Sequence, residues 1–165
     1  MLSVFKLLRN LAIVSLLLGA LQSHGMQQDE SWVIVRKAVD GDTLRLQDGR
    51  SVRLVGIDAP EIDREHRHHE PMALESWQFV SKLTDGKRVR LEHDQSSHDS
   101  YGRVLASVFD SNGQMLNQQI VANGFAHVLY LHPDIRAYEV LLEAQRQAMA
   151  KNAGKWLNIK WEQGP

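Results

Sequence analysis

The sequence predicts an α+β fold dominated by β structure: a small closed barrel of five strands with about three helices packed outside it. Three observations carry this. Short apolar runs alternate with period two in both halves of the chain. Helical spacing interrupts them after the third run and returns only toward the end. Turn dipeptides, Asp48-Gly49, Asp85-Gly86 and Asn112-Gly113, punctuate the series.

In chain order, the first strand is Trp32–Ala38, which is β-branched and apolar. Asp42–Gln47 alternates, with Leu44 and Leu46 on one face. Ser51–Gly56 alternates again, with Val52 and Leu54 on one face, so the first three strands form a meander. Pro71 suits a first helical turn, and Met72, Ala73, Phe79, Val80 and Leu83 recur at helical spacing. Arg88–Asp94 and Arg103–Asp110 read as the fourth and fifth strands. A short helix is expected from Asn117, a good N-cap, to Gly124, a good residue just past a helix end. The last helix is expected from about Asp134, with Ile135, Tyr138, Leu142 and Met149 on one face, stopping before Gly154. This order of elements fits an OB-type barrel.

The chain has 165 residues, one domain's worth, and 43% apolar residues suffice for a core. Net charge is −1, which excludes a uniformly basic nucleic-acid coat but leaves room for a local basic patch. Residues 1–25 read as a signal peptide. Lys6 and Arg9 precede the apolar run Leu11–Leu21, which is too short to span a bilayer, and Ser23 and Gly25 suit a cut before Met26. An uncleaved N-terminal anchor is the alternative. The expected organisation is therefore the leader, a domain over 26–158, and a tail over 159–165. Export is expected to the periplasm or outside the cell. Removing the leader takes away two cations and no acid, leaving a more acidic chain. Cysteine is absent, which excludes disulfides, thiol catalysis and thiolate metal sites.

Three segments place charge where a plain strand would not. In Val39–Leu46 (VDGDTLRL), Gly41 lies between two aspartates and Asp42 opens a strand. In Val52–Glu61 (VRLVGIDAPE), Arg53 sits in a half-buried strand that runs into Asp58, and Pro60 stiffens the bend before Glu61. In His98–Ala106 (HDSYGRVLA), Gly102 frees a turn and Arg103 opens the next strand. Taken singly, each has a plain reading as a solvated turn or rim residue. Together they give three carboxylates and two arginines at strand ends. A guanidinium fork suits phosphate. Attack on a phosphodiester builds charge that arginines and a hard cation neutralise. Calcium takes oxygen ligands, and a carboxylate kept off the metal orients or deprotonates water.

In order and spacing, VDGDTLRL, VRLVGIDAPE and DSYGR resemble the signature segments of the staphylococcal nuclease family, over roughly Trp32 to Leu157. The resemblance implies a five-stranded OB-type barrel with three helices. It also implies a calcium-dependent phosphodiesterase that cuts DNA and RNA with little sequence preference and leaves 3′-phosphate ends. It implies that Asp42, Asp58 and the carbonyl of Ala59 hold calcium, that Glu61 is the general base, and that Arg53 and Arg103 bind the phosphate. Tyr101 and Tyr130 match tyrosines of the family's nucleotide pocket, where His132 stands in place of a further one. Some relatives carry threonine where this chain has Ala59, a change that a carbonyl ligand tolerates. The loop after Glu61, lysine-rich in well-known relatives, here reads IDREHRHHEP. A monomer is expected, and the alternative function is a non-catalytic OB-fold module that binds nucleic acid or protein.

The histidines of that loop, His66, His68 and His69, lack the i, i+4 spacing of a helical metal pair and precede Pro71. They read as a loop skirting the substrate rather than a zinc site. Lys82, Lys87, Arg88 and Arg90 cluster as a solvated face with a capacity for phosphate steering. Trp156 and Trp161 read as packing or tail residues.

Overall fold

The structure, a computed structural model, describes residues 31–63, 65 and 69–156. The predicted leader, the C-terminal tail with Trp161, and His66 and His68 lie outside the described residues. Among those described, no helix is long and apolar enough to cross a membrane.

The predicted barrel forms. Strands β1 (Ser31–Ala38), β2 (Thr43–Leu46) and β3 (Ser51–Leu54) make the meander. A two-residue strand β4 (Ile57–Asp58) follows, then helix α1 (Ala73–Thr84), β5 (Arg88–Glu92) and β6 (Val104–Phe109). Helix α2 (Leu116–Ala122), strand β7 (His127–Val128), helix α3 (Tyr138–Ala150) and a 3-10 turn (Gly154–Trp156) complete it. The order around the barrel is β1-β2-β3-β6-β5, closed by β5 pairing with β1. All pairs are antiparallel except β3 with β6, and closure leaves no free sheet edge. The alternating residues Leu44, Leu46, Val52 and Leu54 point inward and are fully buried with Val35, Val89 and Val108. A second sheet, β4 with β7, was not legible beforehand.

The helices start elsewhere than predicted. Helix α1 begins at Ala73, after Met72 in the left-handed region, so Pro71 lies outside it. Helix α3 begins at Tyr138, four residues beyond Asp134. The buried carboxylate of Asp134 instead accepts the N–H groups of Gln95 and Ser96 at 2.8 and 2.7 Å, which ties two loops together. The buried stripe of α3 is Leu141, Ala144 and Ala148, while Ile135 is exposed. The packing partner selects this stripe. A side chain at Gly56 would strike Leu141 at 2.8 Å, so α3 seats directly on the bend between β3 and β4.

Asn117 is not the cap of α2. The cap position is Met115, and Asn117 is buried inside the helix. Its Oδ1 accepts from Val108 N–H at 3.0 Å, and its Nδ2 donates to the Val55 carbonyl at 2.8 Å. One amide thus satisfies two interior backbone groups and fixes α2 to the barrel. Asn117→Ala leaves both unpaired, so the expected loss is about 2–4 kcal/mol, read from urea unfolding. The predicted end of α2 holds. Gly124 has φ +73, and the N–H groups of Gly124 and Phe125 reach back to the carbonyls of Val121 and Ile120.

Candidate active site at the barrel rim

The site is assembled by the β2–β3 register. Asp48-Gly49 turns the chain, and Thr43 pairs with Arg53. That register brings Asp42, at the head of β2, beside Arg53 on the outward face of β3. The Asp-Gly-Asp turn is held by Asp40, whose Oδ1 accepts from Asp42 N–H (3.0 Å) and Thr43 N–H (2.7 Å). Gly41 is required sterically, because an added Cβ would lie 2.0 Å from Ser76 Oγ and 2.5 Å from Ala59 Cβ. Asp42 is 3% exposed, and its Oδ2 accepts the Ala59 N–H at 2.8 Å.

Arg53 is the hub. Nη1 donates to the carbonyls of Leu54 and Ile57 at 2.9 and 2.8 Å. Nη2 lies 3.1 Å from Asp58 Oδ1 and 3.2 Å from Asp42 Oδ2. The guanidinium is thereby locked between two carboxylates, with two backbone carbonyls fixing its plane. Burial pushes the Asp42 carboxyl up to about 7; Arg53 opposes the shift and Asp40 adds to it.

Glu61 lies just past the bend. Its N–H donates to Glu70 Oε2 at 3.0 Å, and Glu70 N–H returns a bond to the Glu61 carbonyl at 3.1 Å. Glu61 joins this clamp through its backbone N–H and carbonyl, and Glu70 through its N–H and its carboxylate, so the Glu61 carboxylate itself is not used in it. Partial burial raises its pKa, and the nearby Asp40 raises it further against Arg53.

Arg103 and Arg53 line one cleft of about 310 Å³, together with Tyr101, Leu129, Leu131 and His132, among others. Asp99 orients Arg103. Oδ2 accepts from Arg103 Nε at 2.7 Å, and Oδ1 accepts the backbone N–H groups of Tyr101 and Arg103. The Arg103 guanidinium carbon lies 5.5 Å from the Tyr101 ring centroid, within cation–π range. Tyr130 sits outside this lining and packs edge-on against Tyr138, with ring centroids 5.1 Å apart.

Sequence reasoning missed two residues of the surroundings. The β4–β7 pairing sets His127 opposite Asp58, with Nε2 3.6 Å from Asp58 Oδ2. His127 Nδ1 lies 3.0 Å from Lys155 Nζ. Burial and Lys155 both lower the pKa of His127, and burial lowers that of Lys155. No local signal marks either, since His127 reaches Asp58 through a sheet formed across almost 70 residues of chain, and Lys155 is held by its N–H on the Gly124 carbonyl. Among the described residues, no three His, Cys, Asp or Glu side chains gather as a metal cluster. Asp42 and Asp58 are the two rim carboxylates that share Arg53.

A closed five-stranded barrel with an arginine between two rim carboxylates defines the class of protein to which this chain belongs. Residues 51–158 match the family described as staphylococcal nuclease homologue. The thermonuclease of Staphylococcus hyicus is 29% identical over 145 residues, 85% of each chain. The thermonuclease of Staphylococcus intermedius is 31% identical over 127 residues, 74% of each chain. An uncharacterized endonuclease of Escherichia coli is 31% identical over 125 residues, again 74% of each. The chain belongs to the staphylococcal nuclease family.

Proposed function

We propose that this protein is an exported, calcium-dependent nuclease that hydrolyses phosphodiester bonds of DNA and RNA with little sequence preference, leaving 3′-phosphate ends. The observation that carries the reading is Arg53, fixed between Asp42 and Asp58 and lining one cleft with Arg103. Nuclease names among the relatives support it. Export rests on the leader pattern of residues 1–25.

Calcium fits the donors present. Asp42 and Asp58 offer carboxylate oxygens, Ala59 offers its carbonyl, and the two carboxylates share a single arginine, Arg53. Bound there, the ion supplies positive charge against the phosphate oxygens. The chain's own groups do the rest. Glu61 orients a water and takes its proton as the water oxygen bonds to phosphorus. Arg53 and Arg103 donate hydrogen bonds to the equatorial oxygens, whose charge grows in the transition state. The bond from phosphorus to the 5′ oxygen breaks, and Arg103 hydrogen-bonds that oxygen as it leaves and takes a proton from solvent. The exposed rings of Tyr101 and His132 border the cleft where a base would stack.

Digestion of single- and double-stranded DNA with calcium, and with a chelator in its place, tests this. Cleavage is expected with calcium, falling to background with chelator. Chelator-insensitive cleavage would remove the calcium assignment. Tight nucleic-acid binding without turnover would favour a non-catalytic binding module.

A further inference from the structure

One large surface feature has no part in the reading above. A groove of about 610 Å³ lies between β5, β6, α2 and α3. Its floor includes Phe109, Met115 and Val140, and its rim carries the side-chain amides of Gln114 and Gln118. A small recess borders both the groove and the cleft of the rim. It shares Gly56, Leu129 and Asp134 with the cleft, and Glu92, Ser107 and Arg136 with the groove. Lining residues therefore run without a break from Arg53 and Arg103 to the groove.

On its far side the groove meets a ladder on the outer wall of the barrel. Register sets Trp32 opposite Arg90 and Arg90 opposite Phe109, on the outward pleat. The Arg90 guanidinium lies 4.5 Å from the Phe109 ring centroid, and that of Arg88 lies 4.9 Å from Trp32. Arg90 also faces Glu92. The cations Arg36, Lys37, Arg45, Lys87 and Arg88 stand on the same wall or beside it, all exposed. Among the described residues none of these five stands in an ion pair, although Arg45 and Lys87 donate to the carbonyls of Gly49 and Lys82. In a chain of net charge −1 this is a local excess.

Aromatic rings interleaved with arginines, beside exposed cations without an ion-pair carboxylate and an apolar groove rimmed by amides, match a polymer that alternates flat bases with phosphates. We propose that this wall is a second nucleic-acid contact, outside the reacting centre. The groove takes a base of a single strand, and Arg136 and Arg88 take phosphates at its two ends. The proposal rests on the nuclease reading and deepens it: strands long enough to span both sites are preferred over short ones. Arg136 is available for this role because its pairing with Asp94 is long, 3.5 Å, and its side chain is 63% exposed.

The test is binding of a fluorescein-labelled single-stranded DNA 30-mer in chelator, read by anisotropy, with a labelled tetranucleotide as comparison. Arg88→Ala/Arg136→Ala alters two exposed side chains. Its 30-mer Kd is expected to rise about tenfold, and the slope of log Kd against log salt to fall by about 1.4, the contribution of two single-strand phosphate contacts. Val140→Glu places a carboxylate in the groove and is expected to weaken the 30-mer to a similar degree. The 30-mer-to-tetranucleotide affinity ratio falls in both variants. Unchanged Kd and salt slope in both, or equal affinity of wild type for the two lengths, would overturn the proposal. Polyglutamate displacing the 30-mer at equal charge would overturn the base-binding part. A wild type that binds the 30-mer through this wall yet cuts nothing in calcium would sink the nuclease reading and leave this contact standing.

Discussion

Arg53→Ala is expected to lower kcat on single-stranded DNA by about 10³- to 10⁵-fold, the range for losing an arginine that neutralises a phosphoryl transition state. It is also expected to destabilise the protein. Arg53 is the cation shared by Asp42, which is 3% exposed, and Asp58. Removing one member of a buried ion pair costs about 3–5 kcal/mol, because the remaining charge stays buried and uncompensated. Loss of rate alone would therefore not separate catalysis from folding. Arg53→Lys separates them. Lysine keeps the positive charge between the two carboxylates, so much of the stability returns. It cannot hold the two carbonyls of Leu54 and Ile57 while presenting a planar fork. The lysine variant is expected to melt near wild type and remain at least 10²-fold slow, from loss of one transition-state donor. A lysine variant with wild-type kcat would remove the argument from guanidinium geometry.

The same geometry explains how much of the site could be read from the sequence. Asp42 and Arg53 meet because of a single local decision, the turn at Asp48-Gly49, and Asp58 lies only five residues past Arg53. That turn sets the register Thr43 to Arg53. Alternation on either side, Leu44 and Leu46 against Val52 and Leu54, fixes which face turns inward and leaves Arg53 outside the barrel. Period-two patterns and turn dipeptides are short-range signals, so the barrel and the core of the rim were both legible.

What was not legible depends on contacts distant in sequence. Asn117 has the chemistry of a helix cap, and nothing nearby says that its amide will instead satisfy Val55, 62 residues earlier. Asp134 has the chemistry of a helix start, yet its carboxylate is spent on the loop at Gln95 and Ser96. In both cases a polar side chain that favours a cap was claimed by backbone groups distant in sequence, and those bound by Asn117 are buried and cost more to leave unpaired than a cap contributes. The stripe of α3 was displaced for a related reason. Helical periodicity allows neighbouring faces, and the space above Gly56 selects Leu141 over Leu142. His127 and Lys155 near Asp58 belong to the same group, since the first is placed by β4–β7 pairing and the second by contacts with Gly124 and His127.

Glu61→Gln is expected to lower kcat by about 10²- to 10⁴-fold, the usual contribution of a positioned general base. The substitution preserves shape and removes only the capacity to take a proton. It leaves the loop clamp intact, because Glu61 joins Glu70 through its own N–H and carbonyl rather than its carboxylate. The melting temperature is therefore expected to stay at the wild-type value. The 30-mer affinity in chelator should also hold, because binding by the cleft arginines and the outer wall does not call on this carboxylate. The loss should then appear in kcat with KM little changed, the pattern of an interaction made only in the transition state. Glu61→Asp gives a graded version. It keeps the charge but withdraws the carboxylate by one methylene, and a displacement of about 1 Å from the reacting water costs on the order of 10²-fold. A structural role for Glu61 would give the opposite order: aspartate and glutamine alike would lower the melting temperature, and rate would follow stability. Wild-type kcat in Glu61→Gln would sink the assignment and return the role of base to another carboxylate of the rim, with Asp40 the first to test because it lies close enough to raise the Glu61 pKa.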